Sequence, residues 1–153
     1  MITDLEEAVA ATITAALALD TSIAAVPYVV WASTTRSEVP GNKTVVAVRV
    51  QQGDRSMVAL IDAVAEIFVA TPANNEDTSI ASHKLMEKAV DKVFSPGTEI
   101  GEGISVAAYL SDEIEAAIDG YTGGGFFNEG WQPGRDDTNF QPTLRIKIGA
   151  VRE

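Results

Sequence analysis

The sequence predicts a small single α+β domain spanning residues 1–153, with a mixed or antiparallel β-sheet flanked by two main α-helices. Three observations predict it. Thr3 to Leu19 repeats apolar residues at helical spacing, Thr44 to Val50 alternates like a strand, and Lys43 to Phe94 runs strand, strand, helix as one unit. A chain of 153 residues fits one domain and buries a real core without a metal or disulfide staple.

The first helix is expected over Thr3–Leu19. Thr3 and Glu6 have capping-box spacing, and Asp4, Glu6 and Glu7 lie where the helix dipole favours negative charge. Ile2, Leu5, Val9, Ile13, Ala16 and Leu17 define one buried face. After Pro27, the β-branched and aromatic run Tyr28–Ser33 reads as a strand. Thr34–Asn42 is polar, ends in Pro40-Gly41-Asn42, and reads as a projecting hairpin connection. In the next strand Val46, Val48 and Val50 face the core, with Arg49 and Gln51 outward. Gly53-Asp54-Arg55 offers a tight reversal. Ala63–Thr71 reads as a strand, Met57–Asp62 fits strand or helix, and one long strand with a bulge near Asp62 is the preferred account.

Pro72 to Asp77 reads as a loop. Thr78 or Ser79 can cap a helix running to about Phe94, with Leu85, Ala89 and Val93 as its apolar stripe, widened by Met86, Val90 and Phe94. Ile104–Leu110 is expected to be a strand and Asp112–Asp119 is more helix-like. Tyr121–Asn139, rich in glycine and aromatics, shows little periodicity and reads as a flexible segment. Leu144–Val151 closes the chain as a strand, with Leu144, Ile146 and Ile148 on one face and Arg145 and Lys147 on the other.

Composition narrows the chemistry. The chain has no cysteine, which removes disulfides, thiol nucleophiles and Cys-type zinc sites. One histidine, His83, excludes any site needing two His ligands. The net charge of −11 suits poorly a protein that wraps nucleic acid, since that needs Lys and Arg to displace counterions. No run of 18 apolar residues is present, so no transmembrane helix is expected. The acidic start Met1–Glu7 lacks the basic beginning of a secretory signal, so the protein is expected to stay inside the cell that makes it.

No residue set for catalysis, cofactor or metal binding stands out, and none is expected. His83 has no acid at a convincing triad spacing and reads as a plain exposed or half-buried histidine, so that its change to Ala should leave fold and assembly nearly unchanged. Glu76-Asp77 and Asp136-Asp137 read as solvated loop pairs, and Asp112, Glu113 and Glu115 as a helix-start cluster. Lys84, Lys88 and Lys92 share one helix face, solvated by default or turned to an acidic partner. Gly123-Gly124-Gly125 lacks the Gly-Lys-Ser/Thr ending of a phosphate loop. Tyr121, Phe126, Phe127 and Trp131 either pack on the body or anchor a subunit contact.

The order of these elements carries one resemblance. A helix precedes the Tyr28-Val29-Val30-Trp31 strand; then come the Val45–Val50 and Ala63–Thr71 strands, the loop Thr71-Pro72-Ala73-Asn74-Asn75, the helix with Leu85-Met86-Glu87-Lys88-Ala89-Val90, and the closing Leu144-Arg145-Ile146-Lys147-Ile148. This resembles the tail terminator, or tail completion, proteins of long-tailed bacteriophages. The resemblance implies a virion protein at the head–tail interface, assembled in the host cytoplasm. It would form a hexameric ring on the tail tube, end tube growth and join a head-completion or neck protein. DNA would pass through the lumen without specific binding. The expected subunit or tail contacts are the loops Gly53–Ser56, Pro72–Asp77, Thr34–Asn42 and Gly120–Asn139, with Arg36, Arg55, Tyr121, Phe126, Phe127 and Trp131 as candidate residues. A neighbouring neck protein and a small ligand-binding domain, with the Gly-aromatic segment as a pocket lid, are the alternatives. A hydrolase using two converging carboxylates is a third.

Overall fold

Five strands form one mixed sheet in a computed structural model of the chain, in the order β1-β2-β3-β5-β4. The structure describes residues 2–32, 42–52, 60–71, 76–132 and 142–152. The elements are α1 (Ile2–Ala18), a short 3-10 turn (Thr21–Ile23), β1 (Tyr28–Ala32), β2 (Thr44–Gln52), β3 (Leu60–Ala70), α2 (Glu76–Val93), α3 (Val106–Ala117), β4 (Tyr121–Gln132) and β5 (Thr143–Arg152). The fold is therefore α+β, with three α-helices among the described residues where the sequence predicts two main ones.

Strand alternation assigns the two faces of the sheet. Val46, Val48 and Val50 of β2 register against Val69, Ile67 and Ala65 of β3. Ala63, Ala65 and Ile67 in turn register against Ile148, Ile146 and Leu144 of β5. These side chains are all buried and join Leu5, Val9, Ile13 and Leu17 of α1, Met86, Val90 and Phe94 at α2, and Val106, Leu110 and Ile114 of α3 in one hydrophobic cluster. All three helices therefore cover the same face. Burying such side chains contributes about 1.5–3 kcal/mol each, which is what holds the helical layer down.

The α1 face matches the expected one at Leu5, Val9, Ile13 and Leu17, but its cap does not. The helix starts at Ile2, so Thr3 sits inside its first turn. Glu6 is buried and accepts a 3.0 Å hydrogen bond from the Val50 amide of β2. That amide lies two residues past Val48, which pairs with Ala32, so the carboxylate satisfies a backbone donor of β2 and ties α1 to the sheet.

Several sequence expectations are corrected. β1 and β2 pair in parallel, Tyr28 beside Thr44 and Ala32 beside Val48, so the chain between them returns to the same end of the sheet and is not a hairpin connection. β3 keeps unbroken register with β5 through Asp62, so no bulge lies there, and Leu60–Asp62 is strand; Met57–Ala59 lie outside the described residues. α2 begins at Glu76, which places Thr78 and Ser79 within it and Glu76-Asp77 in its first turn, not in a loop. Leu85 is 40% exposed, so the buried stripe is Met86, Ala89, Val90 and Val93.

The strand expected at Ile104–Leu110 is the start of α3. Ser105 caps it by accepting from the Ala108 amide at 3.1 Å. Val106 and Leu110 suit either period, but their continuation to Ile114 and Ile118 at four-residue steps decides for a helix. Asp112, Glu113 and Glu115 consequently sit in mid-helix. The largest correction is β4, a strand of twelve residues in the first part of the expected flexible segment, whose residues 133–139 lie outside the described residues. Its alternation is hidden by two register shifts against β5, between Gly123 and Gly125 and between Asn128 and Gly130. Gly125 and Gly130 supply the positive φ, 98° and 83°, that such bulges favour in glycine.

Candidate functional site

The candidate contact residues can be placed from this geometry. Arg36 and Arg55 lie outside the described residues, as do the Gly53–Ser56 loop and most of Thr34–Asn42. The other four are all on β4, an edge strand of the sheet. Around the bulges, Phe126 registers with Ile148 and Trp131 with Leu144, both core positions. Tyr121, Phe126 and Trp131 pack against the core, and Phe126 meets Phe94 edge-on, with centroids 5.4 Å apart and planes at 85°. Phe127, registered with Lys147, points to the opposite face and is 66% exposed. Three of the four aromatics therefore belong to the body, and Phe127 alone of them is free to meet a partner.

That opposite face is not covered by any helix or strand among the described residues. Register places on it Val29 and Trp31 of β1, Val45, Ala47, Arg49 and Gln51 of β2, Asp62, Val64, Glu66 and Phe68 of β3, and Arg145, Lys147 and Val151 of β5. Phe127 and the bulged Glu129 of β4 complete it. A water-facing sheet surface is normally polar at nearly every outward position; about half of these are apolar.

A row of charges crosses the face. Arg49 pairs with Glu66 at 3.1 Å, Glu66 registers with Arg145, and Arg145 pairs with Glu129 at 3.4 Å. Read from β2 to β4, the order is positive, negative, positive, negative. Arg49 also lies over the Phe68 ring, 5.9 Å from its centroid. Arg145 Nε and Glu129 Oε1 are inaccessible to solvent and make no hydrogen bond, so this pair is held by charge alone. The signal for the row is present in β3, where Asp62, Val64, Glu66 and Phe68 alternate polar and apolar, but its partners depend on the strand order.

His83 does have an acid partner. Its Nε2 lies 2.5 Å from Glu87 Oε1, one helical turn on, and its Nδ1 lies 3.1 Å from Thr71 Oγ1 at the end of β3. With the ring proton on Nε2 facing Glu87, Nδ1 accepts from the Thr71 hydroxyl. Hydroxyl, imidazole and carboxylate in this order have the connectivity of an activated nucleophile. Here they tie α2 to the sheet, and all three side chains are half-buried.

One pocket of about 180 Å³ lies between the C-terminal ends of α1 and α2, lined by Leu17, Asp20, Lys92, Val93 and Glu99 among others. It is smaller than the roughly 300–1,000 Å³ of a usual ligand site. The Ser22 hydroxyl beside Asp20, at 2.6 Å, holds that carboxyl below its ordinary pKa, with Lys92 contributing. In the Gly-aromatic segment, Tyr121–Gln132 is a strand paired to β5, and residues 133–139 lie outside the described residues. Lys84, Lys88 and Lys92 are exposed along α2. Among the described residues, no group of three His, Asp or Glu converges as a metal site, and Asp136-Asp137 fall outside them. No helix among the described residues is long and apolar enough to cross a membrane. The chain matches no protein-family model and no curated protein.

Proposed function

We propose that this chain is a structural virion protein that caps a phage tail tube as a ring, ends tail elongation and presents the head–tail joining surface. The observation that carries the reading is the element order: a helix, three strands, two helices and two strands, which keeps the helix, three strands, helix and closing strand of the resemblance and adds α3 and β4 before β5. The net charge of −11 supports it, since an acidic lumen repels DNA and lets the genome pass. Among the described residues, the long β4 edge pairs with no further strand, which suits it to subunit and tail contacts. The test is binding to purified tail tubes, read by electron microscopy, with light scattering for ring mass. The expected result is hexameric rings seated on tube ends. Absence of tube-end binding overturns the reading, and binding to the head connector alone reassigns the chain to the neighbouring neck position.

A further inference from the structure

We propose that the sheet face opposite the helices, which no helix or strand among the described residues covers and on which only its ends at Val45 and Thr143 are buried, is a self-complementary docking surface for a second copy of this chain. Charge is the first argument. The face carries Arg49, Arg145 and Lys147 against Asp62, Glu66 and Glu129, so it is neutral in a chain of net charge −11. Two such chains repel one another elsewhere and meet here without net repulsion.

The order of the charges is the second argument. Arg49, Glu66, Arg145 and Glu129 alternate in sign across β2, β3, β5 and β4. A two-fold axis parallel to the strands, between β3 and β5, reverses that order in the facing copy. Arg49 then opposes Glu129 of the second copy, and Glu66 opposes its Arg145. In the next row, Val64 opposes Lys147 and Gln51 opposes Phe127; Asp62 opposes Gly149, and no like charges meet. A contact in which the same patch serves both partners is what a two-fold dimer requires.

Size is the third. Four strands at about 4.8 Å spacing, over about eight residues each, offer at most about 500 Å² per copy. The pair would bury at most about 1,000 Å², the lower limit of a specific interface. The dimer is thus a weak one, assembled at micromolar or higher concentration. It stands apart from the ring reading, because a ring needs a head-to-tail contact and this contact closes on itself.

The test uses the full chain in light scattering and sedimentation across a concentration series, with Arg49→Glu and Glu129→Arg, alone and mixed. Far-UV circular dichroism confirms that each variant is folded. The wild type is expected to double in mass. Each single variant places like charges opposite each other twice per dimer and is expected to dimerise at least about tenfold more weakly. In the equimolar mixture, the carboxylate introduced by Arg49→Glu faces the guanidinium introduced by Glu129→Arg across the interface. The native Glu129 and Arg49 face each other at the second contact, so the mixture is expected to recover dimerisation. A wild type that stays monomeric at millimolar concentration overturns the proposal. So does an assembly of any size whose mass neither variant lowers, or a mixture that fails to recover. Tube-end binding is scored separately, so that loss of the dimer with binding retained refutes this contact alone.

Discussion

Gly123→Ala tests the closest approach in the fold. A Cβ built at Gly123 would stand 2.7 Å from the Ser111 Cα, 2.9 Å from its Cβ and 3.0 Å from its Oγ. Carbon atoms rest at about 3.5–4.0 Å, so α3 would have to lift from β4 by most of an ångström. Overpacking of this kind costs about 1–3 kcal/mol. The nearest atom is helix backbone, which cannot rotate away as a side chain can, so the upper part of that range applies. At about 2–4 °C per kcal/mol for a chain of this size, Tm should fall by about 5–10 °C. Urea and thermal unfolding followed by circular dichroism measure the change. Ser111→Gly in the same chain removes the Cβ and Oγ contacts but leaves the Cα in place, so it should recover less than half of the loss. A Gly123→Ala protein melting within about 1 °C of the wild type would refute the tight α3–β4 contact, and full recovery by Ser111→Gly would show that only side-chain atoms are at fault.

Three further outcomes follow from named contacts. Phe94→Ala removes a ring that is 1% exposed and packed edge-on against Phe126, and should cost about 3–5 kcal/mol in urea unfolding. His83→Ala leaves Thr71 and Glu87, both reachable by water, without their partner; a loss of about 1 kcal/mol is expected, against the near-neutral change that the sequence suggests, and a loss above about 3 kcal/mol would point to a larger role. Asp20 has a folded pKa below its ordinary value of 3.8, chiefly through the Ser22 hydroxyl, so its contribution is present above that value and disappears as pH falls through the folded one. The stability gap between wild type and Asp20→Asn should therefore be constant from about pH 5 to 8 and shrink below about pH 4, whereas a gap that grows on acidification would contradict the assigned sign.

Some of this fold is legible in the sequence because the signal is local. The α1 stripe of Leu5, Val9, Ile13 and Leu17 and the alternation of Val46, Val48 and Val50 are periodic within one element, and burial follows from the period. The start of α3 reads as strand because Val106 and Leu110, four apart, satisfy both a two-residue and a helical period. β4 does not read as strand because bulges at Gly124 and Glu129 shift its alternation twice, and a bulge is defined by the partner strand. The His83–Glu87 spacing is visible as one helical turn, but Thr71 reaches the ring only through the packing of α2 on β3.

Composition and single-element periods are enough to establish the α+β class, the α1 face, the inward residues of β2 and β5, the acidic balance and the absence of cysteine chemistry. Packing between elements adds that β1 joins in parallel, that Glu6 accepts from the Val50 amide of β2, that three of four aromatics on β4 turn to the core, and that Arg49, Glu66, Arg145 and Glu129 form one row. These features depend on which strands lie side by side, and strand order is set by contacts between residues far apart in the chain, which no local period encodes.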